Sequence, residues 1–181
     1  MKINFGAGGD IRDGYLNHDI VNLEGIDMVF DLNEYPWPIE SCSVDEILMN
    51  DVIEHLNDFM RSMEEIYRIL KPQGFINLSV PYWNSAHRYM DPTHKYGFHE
   101  NTFRFFDPSS EFCQQRHYYS HARFQIIEEK FLLIPFDPYF SIPKFSEFRV
   151  KSKFLKKVIG FLGNVVLSNL ILALELKLKK I

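Results

Sequence analysis

Cysteine is scarce in this sequence. Cys42 and Cys113 are the only two among 181 residues, and they lie far apart along the chain. Two distant cysteines do not suggest a disulfide framework or a cysteine-based metal site. The sequence also opens without the pattern of a signal peptide. Together these features predict a protein of the reducing cytoplasm.

Positive charge is also in short supply. Lysine and arginine number 20 against 24 aspartates and glutamates, so the formal net charge is −4. Such a chain has no overall basic field to attract nucleic acid, although its last quarter is locally rich in lysine. We therefore expect no nucleic-acid partner. Long polar tracts are absent as well, and 46% of the residues are hydrophobic, which predicts a single globular domain over residues 1–181.

No long run of purely apolar residues occurs; the longest uncharged run, from Val158 to Leu174, contains two glycines and two asparagines, and lysines lie on both sides of it. It is at the short limit of the roughly 17 to 25 residues that a membrane-spanning helix requires. Its first part has helical spacing and its last part alternates as a strand does, which predicts a helix followed by an antiparallel strand beside the sixth strand. Three positions are open for the helix: on the sheet, in a homodimer interface or, less favoured, in peripheral contact with a membrane.

The N-terminal stretch from Ile3 to Asp10 has the features of a binding corner. A short apolar strand runs into the glycine turn Gly6-Ala7-Gly8, and a second strand, Tyr15 to Ile20, ends near Asp19. Glycines allow a sharp bend and close approach of a ligand. A carboxylate at the tip of the next strand can accept hydrogen bonds from a ribose diol. The alternative is a glycine turn between two core strands with no ligand.

The spacing of the glycines and the acid in this corner can be compared with the spacing that dinucleotide-binding sites need. A dinucleotide fingerprint needs a third glycine and an acid about 20 residues further on. Ile11 occupies the third-glycine position, and only ten residues separate Gly8 from Asp19. A nicotinamide-dependent oxidoreductase is therefore disfavoured.

The remaining pattern predicts alternating strands and helices. Asn57 is a plausible N-cap for a helix that continues through Leu70. A helix-start signal follows at Asp107 to Glu111. The further predicted strands are Asp27 to Asp31, Val44 to Met49, Phe75 to Val80 and Phe124 to Leu133.

Several motifs resemble those of class I S-adenosylmethionine-dependent methyltransferases. The likeness is to a short subgroup, similar to methyltransferase type 11, that is often associated with surface polysaccharide biosynthesis, and it covers residues 2–81. The motifs that support the resemblance are Gly6-Ala7-Gly8, Gly14-Tyr15-Leu16-Asn17-His18-Asp19, Ser43-Val44-Asp45-Glu46-Ile47-Leu48-Met49, Glu54-His55-Leu56 and Leu70-Lys71-Pro72-Gln73-Gly74.

The resemblance implies a Rossmann-like α/β fold and S-adenosylmethionine as cofactor. The expected fold is a mainly parallel seven-stranded sheet with reduced helical cover and an antiparallel last strand. The family's glycine turn admits the methionine and ribose part, Asp19 holds the ribose hydroxyls, and Asp31 with Leu32 frames the adenine. Asp51 stands where many relatives have histidine, so that histidine's role cannot be transferred. The cofactor-binding residues implied are Gly6, Ala7, Gly8, Asp19, Ile20, Asp31, Leu32, Asn50 and Asp51.

Two loops, 81–108 and 135–147, are predicted to lie on the substrate side. Long loops in compact domains are usually functional. In the first, His94 held by Asp91 is our candidate general base; the alternative is that Asp91 caps the turn and His94 bonds to backbone. Glu54 and His55 either touch the acceptor or cap the next helix. In the second, Asp137, Tyr139 and Phe140 could close over a substrate, although plain surface packing is favoured.

A metal site in the first loop is also conceivable, because His87, Asp91, His94 and His99 have ligand-like spacing. Magnesium prefers oxygen ligands and zinc a tighter set, so no metal is predicted. The expected function is methylation of an oxygen on a small molecule or on a nucleotide-linked or surface-glycan sugar. The alternative is an inactive cofactor-binding or scaffold module of a glycan-synthesising complex.

Overall fold

The first five strands of the chain run parallel and form the parallel part of the sheet. The computed structural model describes residues 1–133, 148–165 and 169–181. The strands are β1 (Lys2–Phe5), β2 (Leu16–Asp19), β3 (Met28–Val29), β4 (Val44–Asn50) and β5 (Leu70–Pro81). Their order is β3-β2-β1-β4-β5. The order reverses between β1 and β4, which is where ligands bind in doubly wound sheets.

The last three described strands complete a mixed sheet. They are β6 (Phe124–Leu133), β7 (Phe148–Val150) and β8 (Ile171–Lys180). β8 lies between β5 and β6 and runs antiparallel to both, which confirms the prediction for the last strand. β7 pairs antiparallel with the outer edge of β6. The described sheet thus has eight strands instead of the predicted seven, because three residues are too few to give a strand pattern in the sequence.

The helix α1 (Phe59–Ile69) packs against the sheet at β5. Its buried face includes Met63, Ile66 and Ile69. The N-cap is Asp58, whose side chain accepts a hydrogen bond from the Arg61 amide, and not Asn57 as the sequence predicted. The Asn57 side chain is engaged elsewhere, since its Oδ1 accepts from Lys95 Nζ at 2.6 Å.

Short helices connect β5 to β6. They are α2 (His87–Met90), α3 (Glu111–Gln115) and the 3₁₀ segments Phe103–Phe106 and His117–Tyr119. The helix start predicted near Ser110 is present, because the Ser110 hydroxyl accepts from the Phe112 amide. The helix ends after five residues. An aromatic cluster fixes this region to α1: Phe59 meets Phe98, Phe103 and Phe106 at ring distances of 5.3, 5.7 and 5.8 Å.

The C-terminal helix α4 (Lys153–Val165) buries only part of the face that the sequence predicted. Gly160 and Gly163 are buried, next to Phe131 and Ile171 respectively. The helical spacing predicts an apolar stripe made of Leu155, Val158, Ile159, Leu162, Val166 and Leu170. Ile159 is half-buried against the core and Leu162 is half-buried, whereas Leu155 and Val158 are exposed, as are Phe154 and Phe161. Val166 lies outside the described residues. None of the helices in the described part of the chain is long and apolar enough to cross a membrane. The homodimer and membrane-surface alternatives for this helix stay predictions.

Candidate functional site

A cleft of about 320 Å³ lies at the carboxyl ends of β1 to β4. It brings together many of the residues that the sequence singled out: Gly6, Asp19, Ile20, Asp31, Leu32, Asp51 and His55. Its other lining residues, which the sequence did not single out, are His18, Phe30, Val52 and Leu56. Ala7, Gly8, Asn50, Asp91 and His94 are not part of the lining but lie on the segments around it.

The glycine turn after β1 forms one wall of the cleft. Gly6 and Gly8 have φ angles of +61° and +51°, in a backbone region that residues other than glycine rarely adopt. A Cβ atom on Gly6 would lie 2.3 Å from Cγ2 of Val52, so this position also has no room for a side chain. Ala7 is buried, and its amide donates to the His18 carbonyl at 2.8 Å. The turn is therefore fixed against the end of β2.

Asp19 fastens the turn from the other side. Its Oδ2 accepts from the Gly8 amide at 2.8 Å, and its Oδ1 accepts from the Val21 amide at 3.1 Å. Because a carboxylate can accept about four hydrogen bonds, both oxygens keep capacity for a ligand. Ile20 follows with an exposed side chain beside the cleft. The carboxylate that would hold a ribose is thus positioned by two backbone amides.

His18 is a cleft residue that sequence reasoning missed. Its Nε2 lies 2.9 Å from the Phe30 carbonyl, and the two rings are 4.1 Å apart. Burial lowers the pKa of this imidazole. Its Nδ1 is buried without a hydrogen-bond partner among the described residues. Only its position next to Asp19 at the end of a strand could have drawn attention to it.

The loop after β3 forms the opposite wall. Asp31 Oδ1 accepts from the Asn33 amide at 2.8 Å and from its side-chain nitrogen at 3.0 Å. Leu32 is buried, and its carbonyl accepts from Nε1 of the buried Trp37. The loop is therefore held in one conformation, with an acid and an apolar side chain facing the same cleft.

The end of β4 leads into the most polar part of the site. Asn50 is the last residue of the strand, and Asp51 follows with a φ angle of +51° and its amide bonded to the Ser79 carbonyl. Asp51 keeps exposed surface. The protein around its carboxyl nevertheless removes enough water to raise its pKa, an effect that three nearby histidines partly oppose.

Glu54, His55 and His94 form a compact cluster at the mouth of the cleft. One ligand atom of each residue lies within 4.8 Å of the others. The His94 Nε2 is 3.9 Å from Glu54 Oε1, and the two imidazole rings are 4.7 Å apart. Glu54 is completely buried, and this burial, with Asp51 and Asp91 nearby, raises the pKa of its carboxyl to about 8. Burial also lowers the pKa of His55.

Hydrogen bonds orient His55 from behind. Asp91 Oδ1 accepts from both the amide and the hydroxyl of Thr93 at 2.8 and 2.6 Å. The Thr93 Oγ1 lies 2.8 Å from His55 Nδ1. Because the hydroxyl proton is given to Asp91, Nδ1 must be the donor, and Nε2 keeps its lone pair. The Asp91 carboxylate therefore positions His55 through Thr93. The sequence had predicted that Asp91 would hold His94 instead, and the structure shows no hydrogen bond from the Asp91 carboxylate to His94 among the described contacts.

The loop that contains His94 is docked onto the segment of Glu54 to Asn57. The Lys95 amide donates to the Glu54 carbonyl at 2.9 Å, and Lys95 Nζ donates to the His55 carbonyl at 2.6 Å. Tyr96 Oη donates to the Asn57 carbonyl at 2.8 Å. These contacts fix His94 beside Glu54. Of the other histidines in the loop, His87 and His99 are not members of the cluster. The loop 135–147, with Asp137, Tyr139 and Phe140, lies outside the described residues.

Comparisons with known proteins bear on the fold that holds this site. Residues 13–78 match the profile of a family described as a methyltransferase domain. No curated protein sequence gives a match. A SAM-dependent methyltransferase from Archaeoglobus fulgidus is 18% identical, with 99% of this chain and 85% of that chain covered and a TM-score of 0.62.

Two further solved structures show the same fold. A SAM-dependent methyltransferase from Thermotoga maritima is 14% identical over 99% of this chain and 81% of that chain, with a TM-score of 0.64. A methyltransferase in complex with the Trm112 methyltransferase activator of Haloferax volcanii is 15% identical, with 99% of this chain and 81% of that chain covered and a TM-score of 0.54. The chain thus has the Rossmann-like fold of class I methyltransferases, and fold and domain match together imply S-adenosylmethionine as its cofactor.

Proposed function

We propose that the chain transfers a methyl group from S-adenosylmethionine to an oxygen of a small-molecule acceptor. The first acceptor class to test is a sugar, either nucleotide-linked or part of a surface glycan. The observation that supports this proposal is the cleft at the switch point of the sheet, where Asp19, Asp31 and the glycine turn lie next to the cluster of Glu54, His55 and His94.

The residues of the cleft fit the cofactor. Its volume of about 320 Å³ is near the lower end of the roughly 300 to 1,000 Å³ typical of small-molecule sites. Both Asp19 oxygens can accept further bonds, which suits ribose hydroxyls. Asp31 and the apolar Leu32 suit the exocyclic amine and the face of an adenine. Asn50 and Asp51, at the end of β4, are then the neighbours of the amino-acid part.

The acceptor side is assigned to the cluster around His55. When bound, S-adenosylmethionine supplies an electrophilic methyl group. The chain's own task is to hold a hydroxyl oxygen in line with it, exclude water and take up the proton. His55 lines the cleft with a free Nε2 lone pair, and His94 lies behind it, so these imidazoles are the proposed proton acceptors, with Asp91 as the positioning residue for His55 through Thr93.

The scaffold alternative is not favoured, because a cofactor cleft alone would be enough for it, whereas this chain also places the imidazoles of His55 and His94 beside the cleft. The test is turnover. The protein is incubated with S-adenosylmethionine and a panel of nucleotide sugars and small hydroxylated molecules, and S-adenosylhomocysteine is measured. Acceptor-dependent formation supports the proposal. Tight cofactor binding without turnover across the whole panel would instead support the scaffold.

A further inference from the structure

We propose that Glu54, His55 and His94 bind a divalent transition-metal cation at the mouth of the cleft. Each residue contributes one ligand atom, and these atoms lie within 4.8 Å of one another. Two imidazoles and one carboxylate are a ligand set that zinc uses in catalytic sites, where further coordination positions stay open. Non-haem iron uses the same residue types.

The buried polar atoms of the cluster support a bound cation. Both carboxylate oxygens of Glu54 and the Nδ1 of His94 are buried and have no hydrogen-bond partner among the described residues. Buried polar groups are almost always paired. Protonation of Glu54 does not solve the problem, because the neutral acid would still have an unpaired donor and an unpaired acceptor. A cation bound between the three side chains would satisfy the carboxylate and compensate its charge.

The surrounding charge also favours a cation. Asp51 and Asp91 lie close enough to act on the Glu54 carboxyl. In the part of the chain that the structure describes, no lysine or arginine forms an ion pair with Asp51, Glu54 or Asp91. Lys95 is near, but its ammonium group binds the His55 carbonyl and Asn57 Oδ1. Among the described residues, imidazoles such as that of His94, 3.9 Å from Glu54, are thus the groups left to offset the negative charge of this corner.

The hydrogen bonds behind the cluster are those of a metal ligand. Metal-binding histidines usually donate their second ring N–H to a carboxylate or another acceptor, which fixes the tautomer. His55 donates Nδ1–H to Thr93, which in turn donates to Asp91, so Nε2 is the nitrogen left for a metal. His94 is fixed by the bond from the Lys95 amide to the Glu54 carbonyl. The ligands are thus arranged before the cation binds.

The sequence spacing had pointed to a different set. His87, Asp91, His94 and His99 share one loop, whereas the structure joins His94 to two residues from the segment after β4. Because His55 also lines the cleft, an open coordination position would be available to an oxygen of the acceptor. With the cation bound, His55 and His94 would be its ligands and would not take up the proton themselves; the cation would instead lower the pKa of the bound acceptor hydroxyl, and the proton would pass to water. This last step rests on the proposed function; binding of the cation does not.

Zinc titration tests the inference directly. The purified protein is stripped with a chelator and titrated with Zn²⁺ against a chromophoric competitor. We expect one equivalent to bind, and Glu54→Gln and His94→Gln each to weaken binding at least about tenfold, the lower end of what even outer-shell substitutions cost. The matched control is His121→Gln, because His121 is an exposed histidine 3.2 Å from Glu64. Its zinc affinity should equal that of the wild type.

Thermal unfolding shows whether Glu54 binds the cation or instead stabilises the fold. Zinc should raise the melting temperature of the wild type and of His121→Gln, because it binds only the folded state, but not that of Glu54→Gln. Without metal, Glu54→Gln should melt at about the same temperature as the wild type, because the amide, like the carboxyl group that it replaces, would have no hydrogen-bond partner among the described residues. A metal-free Glu54→Gln protein that melts well below the wild type would mean that the carboxylate has a structural partner, which contradicts the inference.

Three other results would overturn the inference: no zinc binding by the folded wild type, equal loss of binding in His121→Gln, or a preference for Mg²⁺, which favours oxygen ligands. Titration of the same proteins with S-adenosylhomocysteine distinguishes a failure of the proposed function from a failure of the metal inference. Asp19→Ala should lose that ligand and keep zinc, whereas Glu54→Gln should keep that ligand and lose zinc.

Discussion

The two sides of the cleft differ in how their acids are held. On the cofactor side, Asp19 and Asp31 accept hydrogen bonds from backbone amides of neighbouring residues. On the acceptor side, Glu54 is completely buried, and neither of its oxygens has a hydrogen-bond partner among the described residues. His18 is the one exception to full pairing that the structure describes on the cofactor side, through its Nδ1.

Because of this difference, the acids of the first side are stable without a ligand, whereas those of the second side are not. The carboxylates of the first side are positioned by the fold and need no ligand to be stable, so they are ready to receive one. The second side retains unpaired polar atoms in a buried place, which is unfavourable unless something binds there. Substitutions on the first side should therefore change cofactor affinity, and substitutions on the second should change the response to metal and acceptor.

The largest effect is expected for Asp19→Ala. It removes the acceptor of the Gly8 and Val21 amides and the proposed ribose contact. Hydrogen bonds to a charged group contribute about 1.5 to 3 kcal/mol each, and each 1.4 kcal/mol is tenfold in affinity. The affinity for S-adenosylhomocysteine should fall more than about 100-fold by calorimetry. Asp13→Ala, an exposed acid in the same connection, should bind normally; an equal loss in both variants would contradict a specific role for Asp19.

Gly6→Ala should reduce stability by about 2 to 3 kcal/mol. A side chain in the left-handed region costs about 1 to 3 kcal/mol, and the new Cβ would lie 2.3 Å from Val52. Urea unfolding measures the change. Val52→Ala in the same protein should recover part of the loss. Gly9→Ala is the control, because no atom lies within 4 Å of its Cβ position and its φ is not positive. A Gly6→Ala protein as stable as Gly9→Ala would rule out the tight turn.

Thr93→Val should act on the second side alone. It removes the hydroxyl between Asp91 and His55 while preserving shape, and outer-shell changes of this kind cost about 10- to 100-fold. We expect zinc affinity and turnover to fall about tenfold. Stability should stay within about 0.5 kcal/mol, because Thr93 is exposed. Thr93→Ser should restore most of the loss. Weaker binding of S-adenosylhomocysteine by Thr93→Val would show that the two sides are not separate.

The smallest effect concerns His18 and pH. Burial lowers the pKa of His18, so the unfolded state binds more protons. Stability should therefore be constant above the ordinary histidine pKa of about 6.5 and decrease as the pH falls below it, by up to about 1.4 kcal/mol per unit of pKa difference. His18→Asn should lack this part of the pH dependence in urea unfolding between pH 5 and 8. Identical pH profiles would contradict the lowered pKa.

Much of the first side could be predicted from sequence because it is local. The glycine turn, Asp19 and Asp31 follow strands whose apolar pattern marks their ends, and the carboxyl ends of parallel strands meet at one edge of a sheet. The antiparallel insertion of β8 also followed from a change of periodicity within the run that begins at Val158. Patterns of this kind depend on a few neighbouring residues, and the fold preserves them.

The second side could not be predicted because it depends on how a loop docks. His94 meets Glu54 across 40 positions of sequence, and the contact relies on the Lys95 and Tyr96 hydrogen bonds to the segment before α1. Spacing within the loop suggested other ligand partners instead. The buried face of α4 was predicted only in part: Ile159 packs against the core as the spacing indicated, but Gly160 and Gly163 are buried while Leu155 and Val158 are exposed.

One calorimetric experiment tests the central claim that the cleft is a site for S-adenosylmethionine. The wild-type protein is titrated with S-adenosylmethionine, S-adenosylhomocysteine and NAD under the same conditions. We predict micromolar binding of both sulfur compounds with one site per chain and no binding of NAD. Binding of NAD, or no binding of either sulfur compound by a protein that unfolds cooperatively, would show that the chain shares only the fold of these methyltransferases.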